Sequence, residues 1–262
     1  MQPVRGKIVF ITGASSGIGA ATALTFAQQG ARLLLCARRL EKLEALRDEL
    51  TTAGAEAIHF FQLDVRDRTS VNDAIASLPE EWKAVDVLVN NAGLARGMEK
   101  LYENDPNDWD EMIDTNVKGL LYVTKAIVPG MVARNSGHVV NMGSTASYNT
   151  YANGGVYCAS KAAEKVISEG LKIDLLGTAV RVTSIDPGMV ETDFSKVRFH
   201  GDEEAAAKVY QNITPLTGED IADAILWAVT RPAHVNIHSM VLTTIHQGNA
   251  YYLHRTNGNA TR

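Results

Sequence analysis

The run Lys7-Ile8-Val9-Phe10-Ile11-Thr12-Gly13-Ala14-Ser15-Ser16-Gly17-Ile18-Gly19 joins a short apolar stretch to three glycines and then to a helical pattern. Its apolar part is too short for a membrane span or a signal peptide, and it predicts a buried strand. Glycine at these positions permits a tight turn, brings backbone close to a pyrophosphate and lets helix pack on strand. The helix that follows turns its first amide N–H groups and its dipole toward the phosphates. A bare glycine triplet also fits a plain strand–helix turn, and the gaps here differ from the usual Rossmann spacing. Its place after a buried strand and before a helix favours dinucleotide binding, with Gly13, Ser15, Ser16, Gly17, Ile18 and Gly19 as candidate contacts.

Outward from that loop, apolar runs alternate with longer helical patterns. Strands are predicted at Lys7–Thr12, Ala31–Cys36, Ala57–Leu63, Asp86–Asn90, Gly137–Gly143, Ala179–Ile185 and Ile237–Thr243. Helices are predicted near 17–29, 40–53, 69–78, 107–133, 156–176 and 219–230. Buried Val/Ile/Leu-rich strands between helices imply an α/β protein, with a doubly wound parallel sheet of seven strands covered on both faces. Ligands of such sheets sit beyond the carboxyl ends of the strands. No repeat or linker divides the chain, so residues 1–262 are expected to form one domain. The segment 188–203 breaks the rhythm: it is polar, irregular and long, which marks a loop that covers a substrate.

The second strand ends Leu35-Cys36-Ala37-Arg38-Arg39. A cofactor with free ribose hydroxyls would want a carboxylate here, and Ala37 offers none. Arg38 and Arg39 can instead bind a 2′-phosphate, which favours NADP over NAD; the alternative is a solvated helix start. Asp64-Val65 and Asn90-Asn91-Ala92-Gly93 follow the third and fourth strands on the same edge, where ordinary turn chemistry competes with adenosine contacts.

Composition excludes several classes. The 262 residues are 45% hydrophobic and carry a net charge of −5 without a long basic run. Nucleic acid and anionic membranes are therefore unexpected partners, and a soluble cytoplasmic protein is the expectation. Cys36 and Cys158 provide neither metal spacing nor a disulfide framework.

The chemistry points to Tyr157 and Lys161, four residues apart and so on one face of a helix. A phenol titrates near pH ~10 in water, and an ammonium group one turn away stabilises the phenolate and brings proton transfer into the working range. Ser144 closes the strand Val139-Val140-Asn141-Met142-Gly143, where a hydroxyl can bond the reacting oxygen. Taken alone, a Tyr-x-x-x-Lys pair is usually helix surface. Mid-helix, Asn116 and Gly119 are mediocre helix formers. A local distortion or a bound water is expected there, or else Asn116 simply caps a neighbouring backbone group.

The combined set resembles the single-domain short-chain dehydrogenase/reductases: Thr12–Gly19, Asn90–Gly93, Asn116, Ser144, Tyr157, Lys161 and Pro187-Gly188. The resemblance implies that Tyr157 is the general acid/base and that Lys161 tunes it and binds the nicotinamide ribose. Ser144 would hold the substrate oxygen and Asn116 a relay water, while Pro187, Gly188, Val190 and Thr192 would meet the nicotinamide end. Strand order 3-2-1-4-5-6-7 and a homodimer or homotetramer are implied too. The stretches 92–99, 197–202 and 232–237 are similar to NADP-dependent 3-hydroxy acid dehydrogenases, a group with L-serine and L-allo-threonine dehydrogenases. That likeness implies a small-molecule substrate with a carboxylate, and Arg198 and Arg96 are candidate partners for it. Arg96 stands where an apolar residue is expected for this group. A reductase for a bulkier ketone, steroid or acyl thioester, and a non-catalytic NADPH-sensing scaffold, are the alternatives.

Overall fold

Along each central strand, alternate side chains enter opposite layers. In β1 (Ile8–Thr12), Val9 and Ile11 face one core while Ile8 and Phe10 face the other. The same division separates Leu33 and Leu35 from Leu34 and Cys36 in β2 (Arg32–Ala37), and Val87 and Val89 from Leu88 in β4 (Val87–Asn90). A strand buried on both faces needs apolar residues at every position, as these sequences have.

The computed structural model describes residues 3–256; residues 1, 2 and 257–262 of the expected domain lie outside the described residues. The remaining strands are β3 (Ala57–Gln62), β5 (Gly137–Met142), β6 (Val180–Pro187) and β7 (Ser239–Leu242). They form one seven-stranded sheet in the order β3-β2-β1-β4-β5-β6-β7. Every pairing is parallel. The order reverses between β1 and β4, which opens a crevice at their carboxyl ends.

Helices α1 (Gly17–Gln28), α2 (Leu40–Glu44), α3 (Arg47–Ala53) and α10 (Gly218–Val229) cover one face through Phe26, Leu43, Leu50 and Ile225. The other face is covered by α4 (Arg68–Ala76) and α6 (Leu120–Ala133) through Val71, Val123 and Met131, with α7 (Gly155–Asp174) beside them through Leu171. Leu34 and Phe10 are fully buried; truncating either to alanine would cost about 2–5 kcal/mol. Cys36 and Cys158 are both free and buried. No helix among the described residues is long and apolar enough to cross a membrane.

The structure modifies several expected elements. The helix expected at 40–53 is two, α2 and α3, and the last strand shortens to Ser239–Leu242. The helix expected at 107–133 divides into α5 (Pro106–Ile113), a π turn over Asp114–Gly119, and α6. Glycine is required there because a Cβ on Gly119 would lie 2.7 Å from Val65 Cγ2. The segment 188–203 is not irregular throughout: it contains α8 (Phe194–Arg198) and leads into α9 (Glu203–Val209), capped by Asp202.

Candidate active site

The glycine loop makes a tight turn between β1 and α1. Gly13 and Gly17 adopt φ of 65° and 56°, the left-handed region that glycine tolerates best. A Cβ on Gly19 would fall 2.5 Å from both Asn91 Nδ2 and the Gly13 carbonyl. Ser16 stands at the N-cap of α1 without a side-chain capping bond, whereas Thr217 and Asp220 close α10 with a full capping box. The Ser16 side chain therefore leaves the first amides of α1 uncapped, and the helix dipole there favours negative charge. Asn91, expected among the adenosine contacts, ties its amide nitrogen to the loop: Nδ2 donates to the Thr12 and Gly13 carbonyls at 2.9 and 3.1 Å. Its position braces the turn. Thr192 packs against Gly17 from the other side, and Gly188 and Val190 are tied down by bonds to Leu242 and a bridge to Leu216.

Arg38 and Arg39 emerge at the end of β2, and Arg38 is half exposed, 3.4 Å from Glu111. Asp64 is taken by Arg66 at 2.6 Å. Glu111 gathers Arg38, Arg66 and Arg96. Burial would raise the pKa of its carboxyl, but the Arg96 hydrogen bond and the three guanidinium charges hold it below the usual range.

Across the sheet, Ser144 N-caps a short 3₁₀ turn by accepting from the Ala146 amide at 3.1 Å, leaving its own proton free to donate. Tyr157 and Lys161 share the inner face of α7 and are only 9% and 6% exposed. Lys161 Nζ donates to the Met142 carbonyl and to Glu164, both at 2.7 Å. Asn116 sits in the π turn, where both ends of its amide bond the Leu94 backbone and Nδ2 also donates to Ser160 Oγ. Its side chain thus braces the strand-4 loop, with one lone pair of Oδ1 left beyond the bond from the Leu94 amide.

The two candidate arginines differ sharply. Arg96 ion-pairs with Glu111 at 2.6 Å and donates to the Val197 carbonyl, so it latches α8 to the body of the protein. Arg96 also lines the cleft over Tyr157. Arg198 has no carboxylate partner among the described residues. It donates to the Gly97 carbonyl and the Tyr151 hydroxyl, and it lies over the rings of Tyr151 and Tyr157 at 5.4 and 5.6 Å. Burial pushes the Tyr151 phenol up to about 12, against the pull of Arg198, so that phenol stays neutral and leaves the guanidinium uncompensated.

Arg198 lines a cleft with Tyr157, Trp109 and Asn104. Arg198 Nη2, Trp109 Nε1 and Asn104 Oδ1 are all buried without a hydrogen-bond partner. Buried polar atoms are nearly always paired, with protein or ordered water, so three orphans gathered on one cleft set it apart from the rest of the surface. Sequence reasoning missed Trp109, Asn104 and Tyr151; nothing local distinguishes them from ordinary surface or core residues. A wider cleft of about 740 Å³ lies behind α1, lined by Glu49, Glu191, Asp193, Glu203 and Glu219 among others. It contains none of Ser144, Tyr157 or Lys161, but Gly17 of the glycine loop and Thr192 lie on its wall.

Fold and site together define a dinucleotide-binding α/β oxidoreductase. A family model described as short chain dehydrogenase matches residues 7–203. The chain is 50% identical over 241 residues to an NADP-dependent 3-hydroxy acid dehydrogenase of Salmonella typhi, covering 92% of this chain and 96% of that one. It is 42% identical over 239 residues to a serine 3-dehydrogenase of Agrobacterium fabrum, covering 91% and 94%. The structure resembles the closed form of a serine dehydrogenase complexed with NADP+, with a TM-score of 0.88 and 47% identity over 97% of this chain and 99% of that one. The chain belongs to the short-chain dehydrogenase family.

Proposed function

We propose that this protein is an NADP(H)-dependent oxidoreductase that interconverts the hydroxyl of a small 3-hydroxy acid, such as serine or 3-hydroxyisobutyrate, with the matching carbonyl. The observation that carries the substrate class is Arg198, whose guanidinium faces the Tyr157 ring with one buried nitrogen unpartnered. A carboxylate there would satisfy it and neutralise its charge. The names of the similar dehydrogenases support the same reading.

The loop Gly13–Gly19 and the open amides of α1 would hold the pyrophosphate, with Arg38 and Arg39 at the 2′-phosphate and Asp64 and Val65 beside the adenine. Pro187, Gly188, Val190 and Thr192 would line the nicotinamide end. Bound there, the cofactor would supply or accept the hydride. Tyr157 takes the proton from the substrate hydroxyl in oxidation and returns it in reduction. Lys161 stabilises the phenolate, and Ser144 donates to the substrate oxygen as it gains charge. Arg198 fixes the far end of the substrate, which turns the reaction into an oriented, effectively unimolecular step. A scaffold that only senses NADPH has no use for Ser144, Tyr157 and Lys161 together. We also infer one domain over the whole chain, a soluble protein and a homo-oligomer.

The test is NADP+ reduction with L-serine, D-serine, L-allo-threonine, 3-hydroxyisobutyrate and 3-hydroxypropionate beside simple secondary alcohols. Preference for the acids supports the reading; preference for the uncharged alcohols removes it.

A further inference from the structure

Along α7, Tyr157, Lys161, Glu164 and Ser168 follow one another at helical spacings of four, three and four, and all four are buried. They form a polar stripe on the inner face of a helix whose other buried positions are small or apolar. Glu164 Oε2 lies 2.7 Å from Lys161 Nζ, and the two residues are only 2% and 6% exposed. The remaining Lys161 contact is the neutral Met142 carbonyl, so Glu164 is the ammonium group's only carboxylate partner among the described residues. A buried ion pair is costly to assemble, and an apolar side chain would fill the same volume. Glu164 makes no contact with the substrate cleft.

We propose that Glu164 is a positioning residue for Lys161, holding its ammonium group as a buried counter-charge and thereby setting the pH range over which Tyr157 accepts the substrate proton. The inference rests on the assignment of Tyr157 and Lys161 to the reaction. The step concerned moves one proton from the substrate hydroxyl to the Tyr157 oxygen, while the electron pair of the C–H bond leaves as hydride to the nicotinamide.

The groups facing this pair are few. On α7 itself they are Tyr157 and Lys161. From β6 comes Asp186, whose oxygens accept from the hydroxyls of Ser184, Ser239 and Tyr148. From β5 and the π turn come only the neutral Asn141 and Asn116, bonded to Ser168 and Ser160. Burial pushes the Glu164 carboxyl up, while the Lys161 charge and hydrogen bond pull it back toward the ionised form. Burial alone would push the Lys161 ammonium down, but the charges of Glu164 and Tyr157 and the Glu164 hydrogen bond outweigh it and leave it raised. Groups this close release protons as one set. The negative charge of Glu164 keeps a proton on the set; without it the next proton leaves at lower pH, whether from the phenol or from the ammonium group.

The test compares pH profiles of kcat for NADP+-dependent oxidation in wild type, Glu164→Gln, Glu164→Met and Glu164→Asp. Both neutral variants should show their rise in kcat displaced to lower pH by about one unit. Glu164→Met serves if the amide does not fold, because it replaces the carboxylate with an apolar chain of similar length. Glu164→Asp keeps the charge and should keep the wild-type profile. Fluorescence titration with NADPH, without turnover, should show Glu164→Gln binding at least as tightly as wild type. A neutral-variant profile that superimposes on wild type, or an NADPH affinity weakened about tenfold or more, overturns the proposal. Tyr157→Phe separates the two levels: if it retains turnover, the assignment of the site falls. If it is inactive and the neutral variants show no shift, only the role of Glu164 falls.

Discussion

The guanidinium carbon of Arg198 lies 5.6 Å from the centre of the Tyr157 ring, and one nitrogen of that guanidinium is buried without a partner. The Tyr157 phenol and a cation without a carboxylate partner among the described residues therefore share one cleft, as the proposed hydroxy acid reaction would need. Arg198→Met keeps the apolar stem and removes the charge. It should lower kcat/KM for 3-hydroxy acids about tenfold or more and leave uncharged alcohols almost unaffected. Steady-state kinetics on the two substrate classes checks this. Equal losses on both would mean that Arg198 serves only to hold α8 against the cleft.

Cofactor choice turns on the end of β2. Ala37 offers no carboxylate and Arg38 projects half exposed beside Glu111. Replacing Arg38 and Arg39 with alanine should raise KM for NADP+ at least about tenfold relative to NAD+. Equal effects on the two cofactors would remove the 2′-phosphate assignment.

Much of this was legible in the residues because burial on both faces leaves a plain mark. Val9, Phe10 and Ile11 admit no exposed face, so the parallel sheet follows from alternation with helices, while the strand order came from the family resemblance. Tyr157 and Lys161 were legible through their spacing, and the distortion at Asp114–Gly119 through its poor helix formers. What escaped depended on contacts far apart in sequence. Arg96 and Arg198 look alike in the chain, and only Glu111, placed by α5, distinguishes a latch from a free cation. Trp109 and Asn104 became visible through their unpartnered atoms. Glu164 carried a readable signal, a carboxylate three residues beyond Lys161 on the same helix face, but a solvated i,i+3 pair has the same spacing.

His138 gives an acid-sensitivity that can be measured apart from catalysis. It is buried in β5, where Nε2 donates to Thr183 Oγ1 at 2.8 Å, since the Thr183 hydroxyl donates to the Ile237 carbonyl. Burial lowers its pKa from 6.5 to about 3, with the Arg181 charge adding to the effect. Between those values the unfolded chain binds the proton and the folded chain does not. Its contribution is thus present above pH 6.5 and is lost as pH falls toward about 3, on the order of a few kcal/mol in all. Denaturant unfolding across this range should show wild type losing stability relative to His138→Gln as pH falls. A difference independent of pH would contradict it.

The central claim is that Tyr157 carries the proton. The direct measurement is kcat for NADP+-dependent oxidation by Tyr157→Phe, paired with NADPH affinity by fluorescence titration. Tyr157→Phe keeps the ring that packs edge-on against Phe194 at 5.7 Å, so the fold and the cofactor site should persist. Removal of a general acid/base costs about 10²–10⁴-fold, and kcat should fall by that amount with NADPH affinity close to wild type. Retention of more than about a tenth of kcat would contradict the account.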